Sequence, residues 1–313
     1  MCAKRVTKKP GEVETTGHSW DGIEELNNPL PRWWVWVFYA CIAWGVWYTV
    51  AYPAWPGLKE ATAGYLGFST RARVANEMAA VDAANADMVA ALETVDLAAL
   101  KDDENLHGFA VNMGSAVFKA NCSQCHGSGA AGAKGYPALI DDDWIWGGRI
   151  DEIAFTVTNG IRNEQSFSAR GYGGVMPSFA DVFSGEETSA VVAYVRGISG
   201  QEHDAALAAE GETLFLDNCA SCHGDAGMGS LAATREYEDP TALYPDGEMT
   251  GALNLTDAIW LYGGDEATIT ETLVKGRAGV MPAWSEEFRP GSGLSAAEIN
   301  AVAAYVHQLG GGQ

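Results

Sequence analysis

The chain has 313 residues, 47% of them hydrophobic, with 41 acidic against 19 basic side chains and a formal charge of −22. That apolar fraction excludes wholesale disorder and a collagen-like fibre, and the length admits about two domains. Charge of this sign excludes general nucleic-acid binding, which needs a basic face, and would instead attract a cationic protein. Six cysteines are too few for a disulfide framework in so long a chain, so their spacing carries more than their number.

Residues 33–53 begin with WWVWVFYACIAWGVWYTVAY, a run without a charged side chain. Twenty residues at about 1.5 Å rise span roughly 30 Å, the hydrocarbon thickness of a bilayer. Trp33, Trp34, Tyr52 and Trp55 lie at its ends, where amphipathic rings favour the membrane–water boundary. Ala61-Thr62-Ala63 resembles a cleavage site but falls too far beyond the run, so an uncleaved anchor is expected rather than a signal peptide. Lys4, Arg5, Lys8, Lys9 and Arg32 precede the run and only Lys59 lies close behind it. This asymmetry predicts a single pass with residues 1–32 in the cytoplasm and the remainder outside. The part after residue 53 holds 14 basic and 36 acidic residues, so the whole negative excess is on the outer side.

An Ala-rich stretch from Arg71 to Leu100 has helical spacing and predicts a connector over residues 54–107. The chain then repeats itself. Gly114, Phe118 and Asn121-Cys122 match Gly211, Phe215 and Asn218-Cys219; Trp144-Ile145-Trp146-Gly147-Gly148 matches Trp260-Leu261-Tyr262-Gly263-Gly264. Val175-Met176-Pro177 matches Val280-Met281-Pro282, and Ala193-Tyr194-Val195 matches Ala304-Tyr305-Val306. The offset runs 97, 116, 105 and 111, so loops differ while anchor points persist. The expected architecture is all-α: one membrane helix, a connector, and two small helical domains at 108–200 and 205–311 joined by a short link. Domains this small have marginal cores and usually need a staple.

Cys122-Ser123-Gln124-Cys125-His126 and Cys219-Ala220-Ser221-Cys222-His223 are both C-x-x-C-H, the attachment signature for c-type haem. Two thiols three positions apart on a helical turn reach the two vinyl groups of a porphyrin, and the adjoining imidazole faces the iron. A lone C-x-x-C would equally suit a zinc half-site or a redox disulfide; two copies, each followed by His and each opening the same repeat, predict two covalently bound haem c groups. Met176 and Met281 occupy equivalent positions before proline and are the candidate sixth ligands, against the alternative that they merely fill the core. Met228 is too close to His223, Met249 has no counterpart, and Met113 matches Glu210, which leaves Met113 as packing. His18, His107, His203 and His307 have no repeat equivalent and read as surface or packing residues. Cys2 and Cys41 lie outside the repeats. Trp144, Trp146, Trp260 and Tyr262 read as pocket or core aromatics.

The segment from Gly17 to Trp34, GHSWDGIEELNNPLPRWW, together with the anchor and two C-x-x-C-H repeats, resembles the dihaem CcoP/FixP subunit family of cbb3-type cytochrome c oxidases over nearly the whole chain. The resemblance implies two tandem cytochrome c domains in a bacterial inner-membrane, single-pass protein with periplasmic haems. It implies partners: a donor cytochrome c, a monohaem subunit, and a catalytic haem-copper subunit that performs the oxygen chemistry, with residues 1–32 as a docking segment. It also implies that the methionines are exchanged, Met281 serving the haem on Cys122/Cys125 and Met176 that on Cys219/Cys222. A free-standing tethered shuttle and a dihaem peroxidase are the alternatives. A peroxidase needs an open iron, which two Met-Pro elements argue against, and a shuttle needs no docking segment.

Overall fold

A computed structural model describes residues 13–163, 175–229 and 251–310. Cys2, Lys4, Arg5, Lys8, Lys9 and Met249, named above, lie outside them. The chain divides into two units, Met1–Ala84 and Asn85–Gln313.

The N-terminal unit opens on a hairpin that hydrophobic periodicity does not disclose. Strands β1 (Thr15–Trp20) and β2 (Ile23–Leu26) pair antiparallel, with Ser19 opposite Glu24 and Trp20 opposite Ile23. Asp21 and Gly22 both have positive φ, +50° and +85°, the backbone of the tight turn whose twist matches paired strands. Helix α1 (Arg32–Ala51) follows, with a mean hydropathy of 1.4; among the described residues it is the one helix long and apolar enough to cross a membrane. Its side chains are nearly all exposed, Ala51 being the buried one. It stops at Ala51 because Pro53 pushes Tyr52 into extended backbone (φ −115°, ψ 161°).

Helix α2 (Thr70–Thr94) carries the Ala-rich stretch. The expected connector does not stay outside the domains. Leu92 and Leu100 are fully buried with Leu106, Ala110, Ala297, Ala301 and Ala304, and Asn300 Nδ2 donates to the Leu92 carbonyl at 2.9 Å.

Among the described residues eight α-helices follow, and their caps repeat. In the first repeat they are α3 (Glu104–Val117), α4 (Ser123–His126), α5 (Ile150–Asn159) and α6 (Gly185–Ile198); in the second, α7 (Ala205–Asn218), α8 (Ala220–His223), α9 (Glu266–Lys275) and α10 (Ala296–His307). Asp103 and Asp204 each accept two backbone N–H groups at the starts of α3 and α7. Ser184 with Glu187, and Ser295 with Glu298, form capping boxes on α6 and α10, satisfying donors that a helix start leaves orphaned. Gly160 and Gly276 end α5 and α9 with φ +68° and +72°, which only glycine adopts freely.

Packing does not follow the repeat boundary at residues 201–204. Helix α3 pairs with α10, and α6 with α7; α5 packs on α10 and α9 on α6. One half therefore consists of α3, α4, α5 and α10, and the other of α6, α7, α8 and α9. The expected domains at 108–200 and 205–311 are thus units of sequence, whereas the packed halves exchange their closing helices. Phe118 lies 5.4 Å from the Tyr305 ring and Phe215 5.1 Å from the Tyr194 ring, each pair joining residues of different repeats. The link between α6 and α7 is short, and adjacent helices so joined pack as an antiparallel hairpin. Helix α10 then takes the place against α3 that an equivalent helix would have filled.

Candidate haem centres

Each Cys-His turn sits at the end of an entry helix. Helix α3 passes through a π-type turn at Phe118–Cys122 into Ser123–His126, while α7 breaks at Cys219 before Ala220–His223. Gly127 and Gly224, with φ +80° and +75°, turn the chain away immediately after each histidine.

The two imidazoles are held identically. His126 Nδ1 lies 3.0 Å from the Pro137 carbonyl and His223 Nδ1 2.9 Å from that of Leu253. A bond from Nδ1–H to a carbonyl fixes the tautomer and leaves Nε2 as the ligating nitrogen. Burial lowers both histidine pKa values, opposed by the carbonyl contact, so the imidazoles are held neutral as ligands must be. Burial, with the neighbouring cysteine second, pushes the Cys122 and Cys219 thiols up to about 11. Buried thiols of this kind are poor thiolates. Among the described residues no group of three or more His, Cys, Asp or Glu side chains gathers for a metal ion.

The methionines divide between the halves. Met281 packs in the core that includes Cys122, Phe118 and Trp144, and Met176 in the core that includes Cys219, Phe215 and Trp260. Backbone bridges set them there. Ile161 and Met281 exchange both N–H···O bonds, at 2.9 and 3.0 Å, as do Met176 and Arg277, at 3.0 and 2.9 Å. A Cβ on Gly160 would run into the Met281 carbonyl, and one on Gly276 into that of Met176. The two glycines thus admit the crossing strands as well as ending their helices.

A cavity of about 300 Å³ opens beside the second turn, lined by Cys219, Cys222, His223, Met176, Trp260 and Arg277 among others. Its size and mostly apolar lining suit a planar cofactor. Among the described residues Arg277 Nη2 is buried there without a hydrogen-bond partner, paired only at 3.7 Å with Glu271, a position that suits an anionic group of a cofactor. The halves also meet at equivalent places: Trp146 packs on Gly251, and Tyr262 on Gly135, whose N–H donates to Leu261 at 2.7 Å. Trp144 and Trp146 are buried, and Met113 packs on the core of Leu92 and Leu100. His18 and His203 are exposed and His107 and His307 half-buried; Cys41 is exposed on α1. No motif marks Arg277; its signal in the sequence is a break in the repeat, where Arg277 follows Gly276 as Ile161 follows Gly160.

Two c-type haem turns in one interlocked helical unit define a dihaem c-type cytochrome. Three family models match along the chain: the N-terminal domain of cytochrome oxidase-cbb3, FixP, over residues 12–59; cytochrome c oxidase, cbb3-type, subunit III, over 109–195; and cytochrome c over 208–310. The chain is 52% identical to the cbb3-type cytochrome c oxidase subunit CcoP of Cereibacter sphaeroides and 47% identical to that of Rhodobacter capsulatus, with all of each chain covered. It is 46% identical to subunit FixP of Bradyrhizobium diazoefficiens over 96% of this chain and 95% of the relative. The chain belongs to the CcoP/FixP family of cbb3-type cytochrome c oxidase subunits. It carries two covalently bound haem c groups and is an electron-transfer component of the oxidase rather than its catalytic subunit.

Proposed function

We propose that His126 and Met281 ligate the iron of the haem on Cys122/Cys125, and His223 and Met176 that of the haem on Cys219/Cys222. The observation carrying this reading is that each methionine shares a core with the cysteine turn of the other repeat. Each bound haem supplies a one-electron couple, and thioether ligation favours its reduced form. The chain's own part is positional. Pro137 and Leu253 orient the imidazoles, the crossing strands hold the methionines, and the aromatic walls keep water from the iron sites. Interlocking the halves lets Ile145, from the first repeat, line the cavity of the second.

The wider reading is of a subunit anchored in the bacterial inner membrane by α1, with residues 1–32 cytoplasmic and the haems periplasmic. A donor cytochrome c delivers electrons, which pass on through a monohaem subunit to the catalytic haem-copper subunit. The run at 32–51 and the preceding basic residues support the anchoring and its direction. Mild-detergent extraction of the tagged protein from native membranes is expected to bring b-type haem and copper with it; two c-type haems alone would leave a tethered carrier. The acidic outer portion supports steering of a cationic donor. Raising ionic strength from about 0.01 to 0.15 M shortens the screening length from about 30 to 8 Å, so second-order reduction by such a donor is expected to slow roughly tenfold or more. A rate indifferent to salt would remove the steering.

A further inference from the structure

The repeat equivalence breaks beside one of the two methionines. Gly160 and Gly276 are equivalent helix-ending residues, and the residue following each is bridged through its backbone to a methionine. In the first repeat that residue is Ile161, in the second Arg277. The Arg277 side chain is 19% exposed and lines the cavity with Cys219, Cys222, His223 and Met176. Its Nε donates to Thr272 Oγ1 at 3.1 Å, and its guanidinium lies 4.4 Å from the centroid of the Tyr262 ring. These contacts fix the fork without occupying it. Among the described residues Nη2 has no hydrogen-bond partner, and the carboxylate it pairs with, Glu271 at 3.7 Å, is itself bonded to Lys275 at 3.2 Å. A second guanidinium, that of Arg162, lines the same cavity while donating to the Gly279 carbonyl.

We propose that Arg277 anchors a carboxylate of the haem on Cys219/Cys222, and that it makes this haem the higher-potential member of the pair. The proposal rests on the haem and ligand reading above. A buried guanidinium with one unsatisfied edge is suited to a carboxylate, and porphyrin propionates are the carboxylates a haem would bring into this cavity. Reduction adds one electron and lowers the charge of the site by one, so a fixed guanidinium in a poorly screened pocket favours the reduced form. Ile161 provides no such charge at the matching place. When one electron leaves the first haem and enters the second, the ferrous first site becomes ferric and the ferric second site ferrous. Arg277 makes that exchange downhill, and an electron on the pair rests on the second haem.

The test is potentiometric titration of the two c-type haems in the intact complex near pH 7.5, read by their α-bands. Cys219→Ala, in a separate preparation, leaves the second haem one thioether bond and red-shifts its band, labelling its wave. The labelled wave is expected to be the higher one. Arg277→Ile is expected to lower it so that the electron partition between the haems falls about tenfold, which is 59 mV for a one-electron couple. Arg277→Lys keeps the charge but loses the fork, and a smaller fall of the same sign is expected. Ile161→Arg is expected to raise the other wave, and it gives an independent reading should Arg277→Ile fail to hold its haem. Unchanged midpoints in Arg277→Ile with both haems attached would overturn the proposal, as would a labelled wave that is the lower of the two. A fall accompanied by loss of the iron–sulfur charge-transfer band would also overturn it, because Arg277 would then act through its backbone pairing with Met176. Failure of the ligand reading itself is distinguishable, since Met176→Ala would then leave the charge-transfer band and the midpoint of the labelled haem unchanged.

Discussion

Alanine at Met281 is expected to open the iron of the haem on Cys122/Cys125, which precedes it by more than 150 residues, and to spare the haem attached 59 residues upstream. The Met281 side chain packs with Cys122 rather than Cys219, and its backbone is clamped to Ile161 at 2.9 and 3.0 Å. Loss of a thioether ligand should drop one midpoint by roughly 0.1–0.3 V, part of the span of about 0.8 V that axial ligands command, and allow that iron to bind carbon monoxide. Met176→Ala should do the same to the other haem. Double-variant cycles identify the partners: Met281→Ala should couple with His126→Met and be additive with His223→Met. Coupling of Met281 with His223 would return each methionine to its own repeat.

Valine at Gly114 or Gly211 is expected to destabilise the haem unit more than any other small-residue change along these helices. A Cβ at Gly114 would fall on the Ala301 carbonyl and the Tyr305 Cβ; at Gly211 it would fall on the Ala190 carbonyl and the Tyr194 Cβ. Backbone cannot retreat as a flexible side chain can, so the crossing of α3 with α10, or of α7 with α6, must open. Overpacking of this kind costs typically 1–3 kcal/mol, and here, with backbone in the way, about 3 kcal/mol or more. For a unit of this size that is a fall of roughly 6–12 °C in Tm. Gly108 on the same helix provides the control, having nothing within 4 Å of a Cβ; Gly108→Ala should be neutral or stabilising by about 0.5–1 kcal/mol. If melting followed by the Soret band gave Gly114→Val and Gly108→Ala the same Tm, the close crossing would be wrong.

Much of this was legible because the signals are local. C-x-x-C-H needs only consecutive residues, so Cys122 to His126 and Cys219 to His223 could be read directly. The anchor is a run of composition, and α1 starts at Arg32, one residue before the reading from hydropathy. Periodicity does not reveal the hairpin at Thr15–Leu26, although Asp21-Gly22 is a turn signal, because the flanking strands alternate poorly and bury little. The carbonyls of Pro137 and Leu253 could not be found from sequence, since any residue type supplies one. Arg277 was hidden for a different reason. It matters through an unmatched atom in a cavity, and only the packing of Thr272, Tyr262 and Met176 around it defines that cavity.

Local sequence specifies two haem attachments, a membrane-length helix, and two copies of a helical repeat. It could not determine which copy of each closing helix packs with which opening helix. Helices α6 and α10 carry equivalent apolar faces, down to Tyr194 and Tyr305, so α3 and α7 find similar surfaces on either. The pairing is set by chain connectivity. The short link at 201–204 brings α6 back against α7 as a hairpin, and α10 fills the surface left on α3. That choice carries Met176 and Met281 across to the cores of Cys219 and Cys122. Near-degenerate local contacts leave connectivity to select the partner, which is why the exchange is a property of the folded chain rather than of any motif within it.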